Sequence, residues 1–137
     1  VISLTLNVIL QTAAVTASVH DYATAYRQTA ESGRPLVVLI GADWCPGCRQ
    51  MKNSAIPQVE RAGGLEKVAF AFVNTDHEGE LAGKLMSGGS IPQLVMYHKT
   101  ASGWRRQQLT GAQNPGTIQQ FLNRATESPD ERLGSMQ

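Results

Sequence analysis

Residues 35–41 read PLVVLIG, an uninterrupted apolar run rich in β-branched side chains, and the chain leaves it directly into ADWCPGC. A run of strand length without polar alternation suits a strand covered on both faces. Residues 68–76, VAFAFVNTD, repeat the pattern after an intervening helical stretch. Two such strands joined through a helix pair in parallel by a right-handed crossover. The expected class is therefore an α/β layered domain.

The flanking segments extend this order. Asp21 is suited to cap a helix over 21–32, in which Tyr22, Tyr26 and Ala30 recur at four-residue spacing and the two tyrosines are assigned to the core, and Gly33 and Pro35 supply the stop. A second helix starts inside the cysteine motif and runs through Met51. Pro57 removes a backbone donor, so a break or kink is expected near Asn53–Ile56, with a short restart up to Gly63 and Gly64. Residues 77–86 read as a helix with acidic residues in its first turn. IPQLVMYHKT and GWRRQQLTG read as a hairpin turning at Ala101–Gly103. Asn114 caps the last helix, Pro115 opens it, and Ile118, Phe121, Leu122 and Ala125 form its buried stripe. Residues 127–137 lose the periodicity and are expected to be a mobile tail.

A chain of 137 residues suits one domain that folds without disulfide staples. With 17% charged residues and a formal net charge of +1, it offers no basic stripe for nucleic acid. Residues 1–17 carry no charge and admit two readings. The alternation of Ile2, Leu4, Leu6 and Val8 with polar residues has the period of a half-buried strand. Alternatively, Val1–Leu10 is the remnant of a secretory apolar region followed by the small-residue site Val15-Thr16-Ala17. Export is the preferred reading, giving an extracytoplasmic protein, periplasmic or secreted, with a cytoplasmic one as the alternative. The run is too short, and too interrupted by Asn7 and Gln11, to span a membrane.

The only two cysteines, Cys45 and Cys48, stand in W-C-P-G-C. A cysteine between a strand and a helix faces the free N–H groups of the first helical turn, which favours its thiolate. With Cys45 as N-cap, Pro46 takes the position where its missing donor costs nothing, and Gly47 lets the backbone pass close to the sulfurs. Cys48, three residues on, lies within disulfide reach. One sulfur is thus expected to be exposed for attack and the other to resolve the mixed disulfide. Arg49 favours the Cys45 thiolate and Asp43 opposes it. Trp44 offers either a packing surface or a flat ledge for an extended polypeptide. Far along the chain, GGSIPQLVMY puts Pro92 at the start of a strand. A cis Ile91–Pro92 bond there would expose the Ile91 backbone to a substrate chain.

Rival readings are weaker. A short C-x-x-C loop makes a poor purely structural crosslink. One C-x-x-C supplies only two of the four ligands of a structural zinc, and His20, His77 and His98 are scattered, so no metal site is assigned. Trp104 is expected to cover the sheet edge, and Arg105 and Arg106 to be a solvated strand end.

Taken together, GRPLVVLIGADWCPGC, VAFAFVNTD, GGSIPQLVMY and LTGAQNPGTIQQFL resemble the thioredoxin superfamily in order and spacing over roughly residues 18–126. The lead-in GRPLVV followed by ADWC is most similar to the exported branch that includes the C-terminal domain of membrane thiol-disulfide interchange proteins. The resemblance implies a thioredoxin-like fold, a central mixed sheet with helices on both faces. It also implies a thiol-disulfide oxidoreductase in which Cys45 attacks, Cys48 resolves, Pro92 is the cis-proline, and Trp44, Ile91, Gly111 and Ala112 line the substrate groove. Expected partners are protein thiols or disulfides and a membrane electron donor, for a chain that is monomeric. No organic cofactor is implied, because the dithiol carries the two electrons.

The chain departs from the family in two places. The buried aspartate usual six residues before the first cysteine, and its lysine partner on the next strand, are here Leu39 and Phe72. Joint replacement of a buried charge pair by apolar residues is compatible with the fold, but it removes the usual proton acceptor for Cys48. The Pro-Gly dipeptide reverses the usual Gly-Pro, which leaves the direction of electron flow open.

Overall fold

The structure, a computed structural model, describes residues 20–126. The two readings of residues 1–17 and the tail at 127–137 lie outside the described residues. Helix α1 (Tyr22–Ser32) starts where Asp21 accepts the Thr24 N–H at 2.8 Å. It ends at Gly33, whose φ of 75° turns its N–H back onto the Thr29 carbonyl. Then follow β1 (Leu36–Gly41), α2 (Pro46–Gln50), a π-helical turn (Met51–Ala55), α3 (Ile56–Arg61), β2 (Ala69–Asn74) and α4 (Gly79–Leu85). The hairpin β3 (Gln93–Thr100) and β4 (Gly103–Thr110) precedes α5 (Pro115–Thr126), whose first turn is held by the Asn114 side chain accepting the Thr117 N–H at 2.8 Å.

The strands form one mixed sheet in the order β2-β1-β3-β4, with β1 parallel to β2 and antiparallel to β3. Alternation along β1 explains its unbroken apolar sequence. Val37 and Leu39 face a core shared with Met51, Ile56, Phe121 and Leu122, beneath the helices α2–α3 and α5. Leu36, Val38 and Ile40 face a second core with Ala25, Ala82 and Leu85, beneath α1 and α4. The expected α/β thioredoxin-like architecture, with helices on both faces, is the one observed. Among the described residues, no helix is long and apolar enough to cross a membrane.

Three expectations need correcting or refining. The irregularity expected near Asn53–Ile56 is present, but as a π turn and not as a break. The Ile56 N–H reaches back five residues to the Met51 carbonyl, and this wider turn takes Pro57 into the start of α3 without interrupting the helical path. On α1 the buried positions are Ala25 and Thr29, whereas Tyr26 is 58% exposed and Ala30 is exposed. Small residues at the contact let the helix approach the sheet, and Tyr22 alone of the two tyrosines packs partly against the core. Finally, Arg106 is not merely solvated, because its guanidinium donates to the Leu85 carbonyl at 2.9 Å and ties β4 to the end of α4.

Candidate active site

β1 delivers the chain to Gly41, from which residues 42–45 turn out of the sheet. Cys45 is the N-cap of α2 in extended conformation, with Pro46 at the first helical position. Its Sγ accepts the Cys48 N–H at 3.3 Å, so one orphan donor of the helix start is satisfied by sulfur. Arg49, exposed, donates from Nη1 to the Asp43 carbonyl at 3.0 Å and so braces the turn that precedes Cys45.

Both cysteines are free thiols, and both are buried. Cys45 is 7% exposed, which corrects the expectation of an exposed attacking sulfur. The sulfur turns inward to accept the Cys48 N–H, and Ile91 packs against it from the far loop. Cys48 is 5% exposed. Burial, with the Cys45 sulfur as its hydrogen-bond partner, pushes its thiol up from 9.0 to about 11. It therefore holds its proton at neutral pH.

The second element closes on the first. The Ile91–Pro92 peptide is cis, and the Ile91 carbonyl oxygen lies 4.0 Å from Cys45 Sγ. A Cβ placed on Gly47 would stand 3.4 Å from both Pro92 Cδ and Ala112 Cβ, which puts this position at van der Waals range of both. Gly111, at φ 89°, donates its N–H to the Pro92 carbonyl at 2.8 Å. Cys45, Gly47, Cys48, Ile91, Pro92, Gly111 and Ala112 are thus brought together, with Pro46 and Trp44 beside them. Trp44 is 66% exposed, and its indole N–H donates to Asp76 Oδ2 at 3.0 Å, which holds the ring in place while leaving it open to solvent.

Leu39 and Phe72 are direct partners across β1 and β2. Leu39 is buried, and Phe72 packs against the same core. The Lys52 ammonium lies 5.3 Å from the Phe72 ring centroid. A cavity of about 160 Å³ opens here, lined by Leu39, Gly41, Cys48, Lys52, Asn53 and Phe72 among others. The exposed Asp43 lines it as well.

Sequence reasoning missed three residues at the site. Asp76 carries no signal beyond following a strand. Gly41 reads as a strand end, yet a Cβ there would stand 2.7 Å from Cys48 Sγ. Gln93 reads as one polar residue in an apolar strand, but it is fully buried.

The comparison with known families now decides the assignment. A family model described as thioredoxin-like matches residues 16–99, more than half of the chain. The chain belongs to the thioredoxin-like family. Among solved structures, this thioredoxin-like protein is similar to a thioredoxin from Thermus thermophilus (24% identity, 77% of this chain and 83% of that one, TM-score 0.63). It is also similar to Fasciola hepatica thioredoxin (24% identity, 78% and 96%, TM-score 0.59) and to Trxlp from Edwardsiella tarda (26%, 77% and 98%, TM-score 0.57). No curated protein matches its sequence.

Two outcomes follow from the geometry of this thioredoxin-like site. Gly41→Ala forces Cys48 Sγ aside and is expected to lower stability by about 1–3 kcal/mol and to slow Cys45–Cys48 disulfide formation. Urea denaturation and thiol counting during oxidation check both effects. For the raised Cys48 thiol, the folded protein keeps a proton that the unfolded chain sheds. The stabilisation is whole below pH 9 and is lost as pH rises toward about 11. Reduced wild type should therefore lose stability over that window faster than Cys48→Ala, and parallel pH curves would contradict the assignment.

Proposed function

We propose that this protein is a thiol-disulfide oxidoreductase that exchanges disulfides with protein substrates through Cys45 and Cys48. The observation that carries the reading is the Cys48 N–H held 3.3 Å from Cys45 Sγ at a helix start, directly beneath the Ile91–Pro92 turn. A backbone donor on one sulfur and a buried, protonated partner three residues on give the two thiols different tasks.

In the reducing direction, the Cys45 thiolate attacks one sulfur of a substrate disulfide. The Cys45–substrate bond forms, the substrate bond breaks, and the departing thiolate takes a proton from solvent. Cys48 then gives its proton to water in the adjoining cavity and attacks Cys45 Sγ. The intramolecular disulfide forms and the second substrate thiol leaves. Two electrons pass to the substrate, and the protein ends oxidised. The same steps run backward donate a disulfide. Trp44 and the Ile91 backbone serve as the docking surface, with Gly111 and Ala112 opposite, and docking along them brings the substrate to a sulfur that solvent scarcely reaches. The proposal includes an extracytoplasmic setting, and a membrane protein as electron donor.

A redox-dependent binding module is the second reading. The absence of a carboxylate at Leu39 and the high Cys48 thiol favour it, because both slow the release step. Equilibration against glutathione buffers separates the two readings. Reversible interconversion of dithiol and disulfide, with turnover of a protein disulfide, is expected; a pair that reacts once and does not reopen would establish the module. Restoring an acid with Leu39→Asp is expected to raise the turnover rate roughly ten- to a hundredfold. No gain in a folded variant would show that the missing acid does not limit release.

A further inference from the structure

We infer that Gln93 is a positioning residue that holds the Ser87–Ile91 loop in the shape a protein substrate docks against. The inference rests on the proposed dithiol exchange and names the residue that presents its docking edge.

Gln93 is 0% exposed at the start of β3, where its backbone is registered between Ile40 of β1 and Thr110 of β4. A buried amide is costly unless its two donors and its acceptor are all used. Here all are used on one loop. Nε2 donates to the carbonyls of Ser87 (3.0 Å), Gly88 (3.2 Å) and Ser90 (2.9 Å), and Oε1 accepts the Ser87 N–H at 3.2 Å. From β4, Gln108 Nε2 reaches the same Ser87 carbonyl at 3.2 Å.

The clamped residues belong to no helix or strand. Ser87, Gly88, Gly89 and Ser90 are all exposed, and Gly88 has a φ of 80°. With no apolar packing of its own and two adjacent glycines, such a loop samples many shapes unless something ties it. Its last residue hands the chain to Ile91, whose carbonyl faces Cys45 Sγ. One side chain thus anchors the docking edge to the rigid centre of the sheet. Pre-ordering the edge spares a substrate the entropy of ordering it on arrival. Gln93 touches neither sulfur, so its effect belongs to docking and not to the chemical steps.

The test compares wild type with Gln93→Met, which keeps the length and removes the hydrogen bonds. In the variant, KM for a protein disulfide substrate should rise on the order of tenfold with kcat unchanged. Reaction with the small disulfide dithiobisnitrobenzoate, which needs no docking edge, should keep its wild-type rate. Amide hydrogen exchange at Ser87, slow in wild type, should quicken. Loss of both activities by the same factor, or an unchanged KM while Ser87 exchange quickens, would overturn the inference. Wild type inactive on both substrates would instead overturn the dithiol exchange, and the docking role with it. Should Gln93→Met not fold, Gln108→Leu, which removes one bond onto Ser87 together with those to Arg106 and Thr110 on the edge strand, should show the same split at smaller size; no split there would overturn the inference.

Discussion

β1 is buried on both faces, and the arrangement of everything else follows from that constraint. Its five leading side chains alternate between two cores, one under α2–α3 and α5 and the other under α1 and α4. A strand held this way cannot slip by one residue without exchanging its faces. The position of Gly41 is therefore determined, and with it the turn that makes Cys45 the cap of α2. The contact between Cys48 Sγ and Gly41 adds a second limit, since no larger residue fits beneath the sulfur. The dithiol is thus set by packing at the end of the most deeply held strand.

The two halves of the site come from distant parts of the chain, yet they share neighbours in the sheet. β3 pairs with β1, so Pro92 and Gln93 begin where β1 ends. β4 pairs with β3, which returns Gly111 and Ala112 to the same end. Gly47 lies against Pro92 and Ala112, and Gly111 adopts a positive φ while its N–H binds the Pro92 carbonyl. Polar brackets complete the frame, with Asp76 holding Trp44 and Gln93 holding the loop before Ile91.

Much of this was legible in the sequence, and the part that was not has physical reasons. Among the described residues, apolar runs and cap residues marked each strand and most helices, because PLVVLIG, Asp21 and Asn114 carry local signals. Pro57 signals an irregularity near Ile56, but a π turn leaves no local mark that tells it from a break. Tyr26 was misassigned because spacing alone does not say which side of a helix meets the sheet. The cysteines and the Ile91–Pro92 turn stand out as motifs. The burial of Cys45, the tie between Trp44 and Asp76, and the four bonds of Gln93 depend on residues that meet only after folding. Leu39 and Phe72 were read as a changed pair from the resemblance alone, and their direct pairing across β1 and β2 explains why both are apolar.

Two sulfurs that are both buried divide the labour at this site. The most direct measurement is to mix a protein disulfide substrate with Cys48→Ser and, separately, with Cys45→Ser, and to count covalent adducts by mass spectrometry. Division of labour predicts a stable adduct on Cys45 in the first variant and none in the second. Adducts of equal yield on either cysteine would contradict it, as would the absence of an adduct from both.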